Sequence, residues 1–254
     1  MRMRWNVVGI GRALMPALVM AMGLAQAAEI KVIASNAVKG SVQDVTSRFE
    51  KTSGNKVVMT WGGTEAITKR VSGGDVFDVV IIAAPNIDRL MAEGKIVRRS
   101  RTDFAKSGIG VAIRTGLPRP DISTAGSVKQ AVLEANSVAY SSGPSGFYLT
   151  DLFKRLGIAD QIKDKVNQPA SGVQVADLLA RGEADLGFQQ ISELIHAKNI
   201  DYLGPLPNEI QNVTVWSAGL HSAALAPDAA KAFMKSLSAP ESASIIKKTG
   251  MDPA

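Results

Sequence analysis

The sequence contains no cysteine, so neither a disulfide framework nor thiol chemistry supports its stability or its function. It has two histidines, His196 and His221, and neither has metal-binding or nucleophilic partners at a useful spacing. Aromatic residues make up only 5% of the chain, and its basic residues are scattered without forming a stripe. We therefore predict no metal, no cofactor and no nucleic-acid partner.

Known catalytic motifs are also absent from the sequence. There is no phosphate-binding GxxxxGK[ST] and no dinucleotide-binding GxGxxG. The run Gly143-Pro144-Ser145-Gly146 resembles the nucleophile elbow of hydrolases, but Phe147 stands where that motif needs its last glycine. No standard hydrolase or nucleotide-dependent reaction is indicated.

The amino terminus has the three parts of a secretion signal. Arg2, Arg4 and Arg12 supply the positive charge, and an apolar stretch over residues 13–24 follows that is too short for a permanent membrane span. The sequence Ala25-Gln26-Ala27 then predicts cleavage after Ala27, which makes residues 1–27 a signal peptide and the mature protein periplasmic. Because no cysteine lies at this junction, a lipoprotein anchor is excluded.

Removal of this signal changes the apparent charge of the protein. Its three arginines account for half of the formal net charge of +6, which leaves +3 on the mature chain. A net charge of this size is compatible with a small anionic ligand and gives no reason to expect a polyanionic partner.

The remaining residues alternate short β-branched runs with amphipathic helical patterns, which predicts parallel sheets covered by helices. Residues 29–34 read as the first strand, and Asn86 is expected to cap a helix that ends near Glu93. The run over residues 107–114 reads as an isolated strand that crosses into a second lobe. The predicted fold class is α/β, with two lobes joined by two crossings and a ligand cleft between them. We assign residues 28–107 and 205–254 to lobe 1 and residues 108–204 to lobe 2.

Four loops rich in small polar residues follow predicted strands. They are Ser35-Asn36-Ala37, Gly62-Gly63-Thr64, the run from Ser141 to Gly146, and Gln189-Gln190. Taken singly, Thr64 and Ser145 could serve only as helix caps, and the two glutamines could be solvated. All four loops nevertheless fall at the same end of the predicted sheets, where helix N-termini present unpaired N–H groups. Together they predict a site for an anion held without a countercharge.

The mature chain resembles the periplasmic solute-binding proteins of ABC importers, in particular their molybdate-binding group. The resemblance covers WGGTEAITKRVSGGDVFDVVIIAA, SGIGVAIR, GPSGFYLTDLFKRLG, LLARGEADLGF and FMKSLSAPESASIIKKTG, in that order. It implies the type II periplasmic binding protein fold, whose two α/β lobes close on the ligand like a hinged clamp. It also implies a monomer that delivers its ligand to an ABC permease in the inner membrane.

Carried over residue by residue, the resemblance implies a site that departs from the molybdate pattern. Ala37 stands where the family has a serine, Thr64 matches a hydroxyl position, and Gln190 replaces a tyrosine near the hinge. The amides of Asn36, Gln189 and Gln190 make the site more polar, so we expect a larger organic anion such as a carboxylate, with a molybdate-like oxyanion second. The residues predicted to bind ligand are Ser35, Asn36, Ala37, Gly63, Thr64, Ser142, Ser145, Gly172, Val173, Gln189 and Gln190.

Two other functions remain open at this point. Some exported proteins that resemble this group are enzymes of the aconitate isomerase type, which move a proton along a bound tricarboxylate and need a base beside it. Lys39, Glu65 and Glu193 lie near the predicted cleft and could be that base, or they could be ordinary exposed helix residues. A sensor subunit that presents bound ligand to a membrane receptor would use the same cleft.

Overall fold

The computed structural model describes Met1 and residues 27–254. The predicted signal peptide therefore lies almost entirely outside the described residues. Within them, no helix has both the length and the apolar character needed to cross a membrane.

Strands of the described chain form two separate sheets, one of six strands and one of five. The strands are β1 (Glu29–Ser35), β2 (Lys56–Gly62), β3 (Val79–Ala83), β4 (Thr102–Ser107), β5 (Ile109–Arg114), β6 (Val138–Tyr140), β7 (Val166–Asn167), β8 (Leu186–Gln190), β9 (Ile200–Pro205), β10 (Thr214–Leu220) and β11 (Asp252–Pro253).

The first sheet has the strand order β11-β4-β10-β3-β1-β2. Strand β1 pairs in parallel with β2 and β3, whereas β10 runs antiparallel to β3 and to β4. All residues of β3 are buried because strands flank it on both sides and helices cover both faces. The carboxyl ends of β1, β2 and β3 therefore share one edge with the amino end of β10.

The second sheet has the order β7-β6-β8-β5-β9. Strand β8 lies parallel to β6 and antiparallel to β5, with Gly110 opposite Gln189. A separate apolar cluster forms the core of each sheet and its helices, so each sheet with its helices makes one α/β lobe. The predicted fold class, two α/β lobes with a cleft between them, is confirmed.

Ten α-helices connect these strands within the described residues. They are α1 (Lys39–Ser53), α2 (Thr64–Ser72), α3 (Ala84–Ala92), α4 (Ala125–Glu134), α5 (Pro144–Arg155), α6 (Ala159–Ile162), α7 (Val175–Ala180), α8 (Ile191–Leu194), α9 (Pro227–Leu237) and α10 (Ala243–Lys248). In helix α1, Val42, Val45 and Phe49 recur at helical spacing and form the buried face. Gly54 ends this helix in the left-handed conformation at a φ of 71°.

The chain crosses between the lobes twice. The first crossing is the break at Gly108 between β4 and β5, and the second joins β9 to β10. The side chain of Gln211 fastens the second crossing to the first, because its Oε1 accepts from Ile109 N at 2.7 Å. The strands of the first sheet come from residues 29–107 and 214–253, and those of the second from residues 109–205. The individual lobe boundaries given above stay a prediction.

Two local expectations were wrong. Asn86 does not cap α3, because that helix already begins at Ala84; its Nδ2 instead donates to Glu65 Oε1 and Thr68 Oγ1, both at 3.1 Å. The run over residues 107–114 is not a single isolated strand either. It is interrupted at Gly108, and its second part, β5, is flanked by β8 and β9 in the second sheet.

Candidate ligand-binding cleft

All of the predicted ligand-binding residues line one cavity between the two lobes. Lobe 1 contributes the end of β1 and the start of α2, and lobe 2 contributes the start of α5, the loop over residues 171–174 and the end of β8. The cavity lining contains Ser35, Asn36, Ala37, Gly63, Thr64, Ser142, Ser145, Gly172, Val173, Gln189 and Gln190. The four polar loops thus meet at the shared carboxyl edges of the sheets, as parallel strands require.

Further residues complete this lining and were not among the predicted set. They are Ser141, Gly143, Pro144, Ser171, Gln174, Glu193 and Trp216. Several are neighbours of predicted residues in the same loops. Trp216 lies inside β10, so no loop or turn signal in the sequence points to it.

Thr64 and Ser145 do not act as helix caps. The caps of α2 and α5 are Gly63 and Gly143, and neither helix receives a side-chain cap. The Thr64 hydroxyl instead donates to Ser35 Oγ at 3.5 Å, and the Ser145 hydroxyl lies 2.9 Å from that of Ser141. The first-turn N–H groups of both helices have no carbonyl partner within their own helix, and the positive ends of both helix dipoles lie at the cavity.

Two buried polar atoms of the lining have no hydrogen-bond partner among the described residues. They are the hydroxyl of Ser142 and the indole Nε1 of Trp216, whose residue is 1% exposed. Leaving a buried donor unpaired costs about 1–3 kcal/mol, so such groups are rare in native proteins. Both would be satisfied by a ligand that offers acceptor oxygens.

The two glutamines at the end of β8 are engaged by the protein itself. The Gln190 amide lies between the two crossings: its oxygen accepts from Thr214 Oγ1 at 2.9 Å and its nitrogen donates to the Ser107 carbonyl at 3.0 Å. Gln189 Oε1 accepts from Val175 N at 2.9 Å, and its Nε2 donates to Gln174 Oε1 at 3.1 Å. Both side chains therefore form part of the cavity wall. Gln190 is in addition hydrogen-bonded to Ser107 and Thr214, which flank the two crossings between the lobes.

Glu193 brings a carboxyl group into this otherwise uncharged cavity. It lies in the first turn of α8, and this helix begins directly after the two glutamines. Burial raises its pKa to about 7, although hydrogen bonds from the side chains of Gln174 and Gln189 and from the backbone of Gln190 act in the opposite direction. Near neutral pH this carboxyl exchanges its proton readily, as a general acid or base must.

The other two candidate bases lie outside the cavity. Lys39 is exposed, and its Nζ lies 5.9 Å from the ring centroid of Trp61. Glu65 lines an outer groove together with Asn86 and Phe147, and its carboxyl is held by Asn86. Of the three candidates only Glu193 lies in the cavity.

Both histidines are used structurally. His196 Nε2 lies 2.9 Å from the Lys248 carbonyl. The buried His221 accepts from Ala223 N at 3.1 Å, and burial lowers its pKa. Among the described residues, no group of histidines, aspartates or glutamates is arranged to hold a metal ion.

Direct contacts between the lobes close the cleft. Asn36 Nδ2 donates to the Gly172 carbonyl at 3.0 Å, and Ser192 Oγ donates to the Ala37 carbonyl at 2.7 Å. Gly63 faces the loop of Ser171 and Gly172 so closely that a Cβ on Gly63 would lie 2.4 Å from Gly172 N. The described conformation is thus a closed clamp around the cavity.

Comparison with known proteins matches residues 30–252 to the family described as bacterial extracellular solute-binding protein. The chain is 36% identical over 231 residues to an aconitate isomerase of Pseudomonas sp., covering 88% of this chain and 87% of that one. It is 28% identical over 173 residues to a molybdate-binding protein of Azotobacter vinelandii, covering 67% and 68%. The solved periplasmic molybdate-binding protein of Azotobacter vinelandii superimposes with a TM-score of 0.74 at 22% identity, covering 87% of this chain and 98% of that one.

Proposed function

Because this chain belongs to the bacterial extracellular solute-binding proteins, we propose that it is exported to the periplasm and closes its two lobes around a small organic anion that carries several carboxylates. One observation carries the proposal: the unpartnered donors of Ser142 and Trp216 lie in a cavity that no cationic side chain lines among the described residues. Such a cavity suits carboxylate oxygens, which accept hydrogen bonds from neutral donors.

Glu193 favours a weak-acid anion such as a carboxylate over a strong-acid oxyanion such as sulfate. An ionised carboxyl in the cavity repels a bound anion, and the repulsion is relieved only where a proton is shared between them. A ligand carboxylate can share one with Glu193, because the pKa of an ordinary carboxyl lies within a few units of 7. A strong-acid oxyanion such as sulfate does not hold a proton in this range. The aconitate isomerase relative also supports an organic polycarboxylate.

A panel of ligands tests this proposal. We expect trans-aconitate, cis-aconitate or citrate to raise the melting temperature of the mature protein, with a stabilisation of about 2.7 kcal/mol at one hundred times Kd. Trp216→Phe, which removes the unpartnered N–H and keeps most of the ring, should weaken binding roughly tenfold. Molybdate or sulfate binding more tightly than every polycarboxylate, measured by calorimetry, would contradict the proposal.

A second candidate function is isomerisation of a tricarboxylate of the aconitate type. It is favoured by one specific observation, the presence of the Glu193 carboxyl among the residues that line the cavity, and it is supported by the 36% identical relative. If the protein is an enzyme, proton NMR of cis- or trans-aconitate with catalytic amounts of protein will show their interconversion. If it only binds for an ABC permease, each isomer will remain unchanged.

A further inference from the structure

Glu193 is the only titratable side chain that lines the cavity in the described part of the chain. The lining otherwise offers hydroxyls, amides, backbone groups and the indole of Trp216. Of the described side chains that line the cavity, the Glu193 carboxyl is therefore the one that can remove a proton from a bound ligand and return it.

The Glu193 carboxyl is held in a defined position. Gln174 and Gln189, which are hydrogen-bonded to each other at 3.1 Å, both provide amides to it. Gln189 is itself fixed by Val175 N at 2.9 Å. On the other side, the neighbouring Ser192 bridges to lobe 1 through the Ala37 carbonyl at 2.7 Å. Closure of the lobes thus places the carboxyl against the loops that would hold the ligand.

In the part of the chain that the structure describes, no salt bridge compensates Glu193. Its pKa responds to burial and to hydrogen bonds from Gln174, Gln189 and Gln190, and not to any neighbouring charge. Lys39 of lobe 1 does not line the cavity; it is exposed and sits over Trp61. An uncompensated carboxyl weakens a site built only to hold anions. Its presence is explained if it takes part in chemistry.

We infer that Glu193 is the catalytic residue of a one-base allylic isomerisation, the same carboxyl removing a proton from the bound tricarboxylate and returning it two carbons away. The inference rests on the function proposed above, because the substrate class must carry a methylene group next to a carbon–carbon double bond. It adds the residue that carries the proton.

The reaction balances without any other reactant. The Glu193 carboxylate takes a proton from the methylene carbon, and the electron pair of the broken C–H bond forms a new double bond to the central carbon. The former double-bond pair moves to its outer carbon and is delocalised onto the carboxylate there. The Glu193 carboxyl then gives its proton to that outer carbon, so the double bond has moved and no atom has been lost.

The remaining cavity groups suit the charge that develops in this reaction. Negative charge accumulates on a substrate carboxylate during the transfer, and fixed donors stabilise it most when they need no reorganisation. The Ser142 hydroxyl, the Trp216 N–H and the first-turn amides of α5 are such donors.

The test compares three variants with the wild-type mature protein. Glu193→Gln removes the base and keeps the shape, Glu193→Asp keeps the carboxyl on a shorter arm, and Glu65→Gln is the control because Glu65 lies outside the cavity. Binding of trans-aconitate is measured by calorimetry, and interconversion of the isomers by NMR in H2O and in D2O.

We expect Glu193→Gln to bind trans-aconitate as tightly as wild type or more tightly, and to lose at least a thousandfold in turnover. Glu193→Asp should retain measurable turnover, and Glu65→Gln should match wild type in both readouts. In D2O the isomerised product should retain part of its proton, because one carboxyl carries it between the two carbons.

Two results would overturn the inference while leaving the binding proposal intact: wild-type protein that binds trans-aconitate without turnover, or Glu193→Gln with undiminished turnover. Equal losses of binding and turnover in Glu193→Gln would make Glu193 a binding group and also overturn it. Failure of wild-type protein to bind any polycarboxylate would instead overturn the proposed function itself.

Discussion

Glu193 also makes the stability of the ligand-free protein depend on pH. Its pKa rises from an ordinary 4.5 in the unfolded chain to about 7 in the folded protein, so the folded state binds more protons between these values. The stability contributed by the protonated group is complete below pH 4.5 and is lost as the pH rises through 7. At about 1.4 kcal/mol per pKa unit, the loss reaches roughly 3 kcal/mol.

Glu193→Gln should therefore raise the free energy of unfolding at pH 8 by up to about 3 kcal/mol, and change it little at pH 4.5. Urea denaturation of both proteins at the two pH values measures this difference. Glu65→Gln, which alters an exposed-groove carboxyl with an amide partner, should show no comparable pH-dependent gain. A Glu193→Gln variant that is less stable than wild type at pH 8 would contradict the assigned pKa.

The sequence predicted lining residues in all four polar loops, but it gave no sign of Ser171 and Gln174 in a further loop or of Trp216 in a strand. Ser35, Thr64 and Ser145 follow strands in a recognisable pattern, so their common edge can be deduced from parallel pairing. Trp216 lies within β10, and an apolar residue in a strand carries no sign of facing a cavity. The raised pKa of Glu193 arises from burial beside Gln174 and Gln189, and these contacts form only in the folded chain, so no local sequence pattern marks them.

At the scale of elements, the alternation of strands and helices was predictable wherever the hydrophobic period was clear. Helices α1 and α9 have buried residues at helical spacing, and such stripes are the pattern from which helices are predicted. Strand β9 was not predicted because its residues are only partly buried at the edge of the second sheet, so no hydrophobic run marks it. Strand β11, two residues long, likewise exists only through its pairing with β4.

The Asn86 error shows how tertiary contacts override a local rule. Asparagine is a favoured helix cap, which is why the sequence predicts a helix that begins after Asn86. Proline is also favoured in the first turn, however, and α3 begins at Ala84 with Pro85 inside that turn. This start leaves the Asn86 amide free to join α3 to Glu65 and Thr68 of α2, which fixes two helices of lobe 1 beside the cleft.

At the scale of the whole molecule, closure of the two lobes depends on the contact that Gly63, which has no side chain, makes with the opposite lobe. A Cβ on Gly63 would lie 2.3 Å from Ser171 Oγ and 2.4 Å from Gly172 N, and both atoms belong to the opposite lobe. The φ of Gly63 is −82°, which alanine adopts without strain. Apart from the modest cost of alanine at the N-cap of α2, the methyl group therefore destabilises only the closed conformation.

Gly63→Ala should accordingly separate closure from folding. We expect the ligand-free variant to unfold only a few degrees below wild type, because open lobes accommodate the methyl group and only the cost of alanine at the N-cap of α2, about 1 kcal/mol, remains. It should bind its anion at least tenfold more weakly. Gly126→Ala, placed at the start of α4 with no close neighbour beyond Thr124, is the matched control and should bind normally.

Small-angle scattering supplies the structural readout of this prediction. Wild-type protein should contract when ligand is added, because ligand bound between the lobes favours the state in which both lobes contact it. Gly63→Ala should contract less at the same ligand occupancy, since Ser171 and Gly172 cannot approach the new methyl group. Unchanged affinity and unchanged contraction would mean that ligand is held without the contact between Gly63 and Gly172, and that the cleft works in a more open form than the one described.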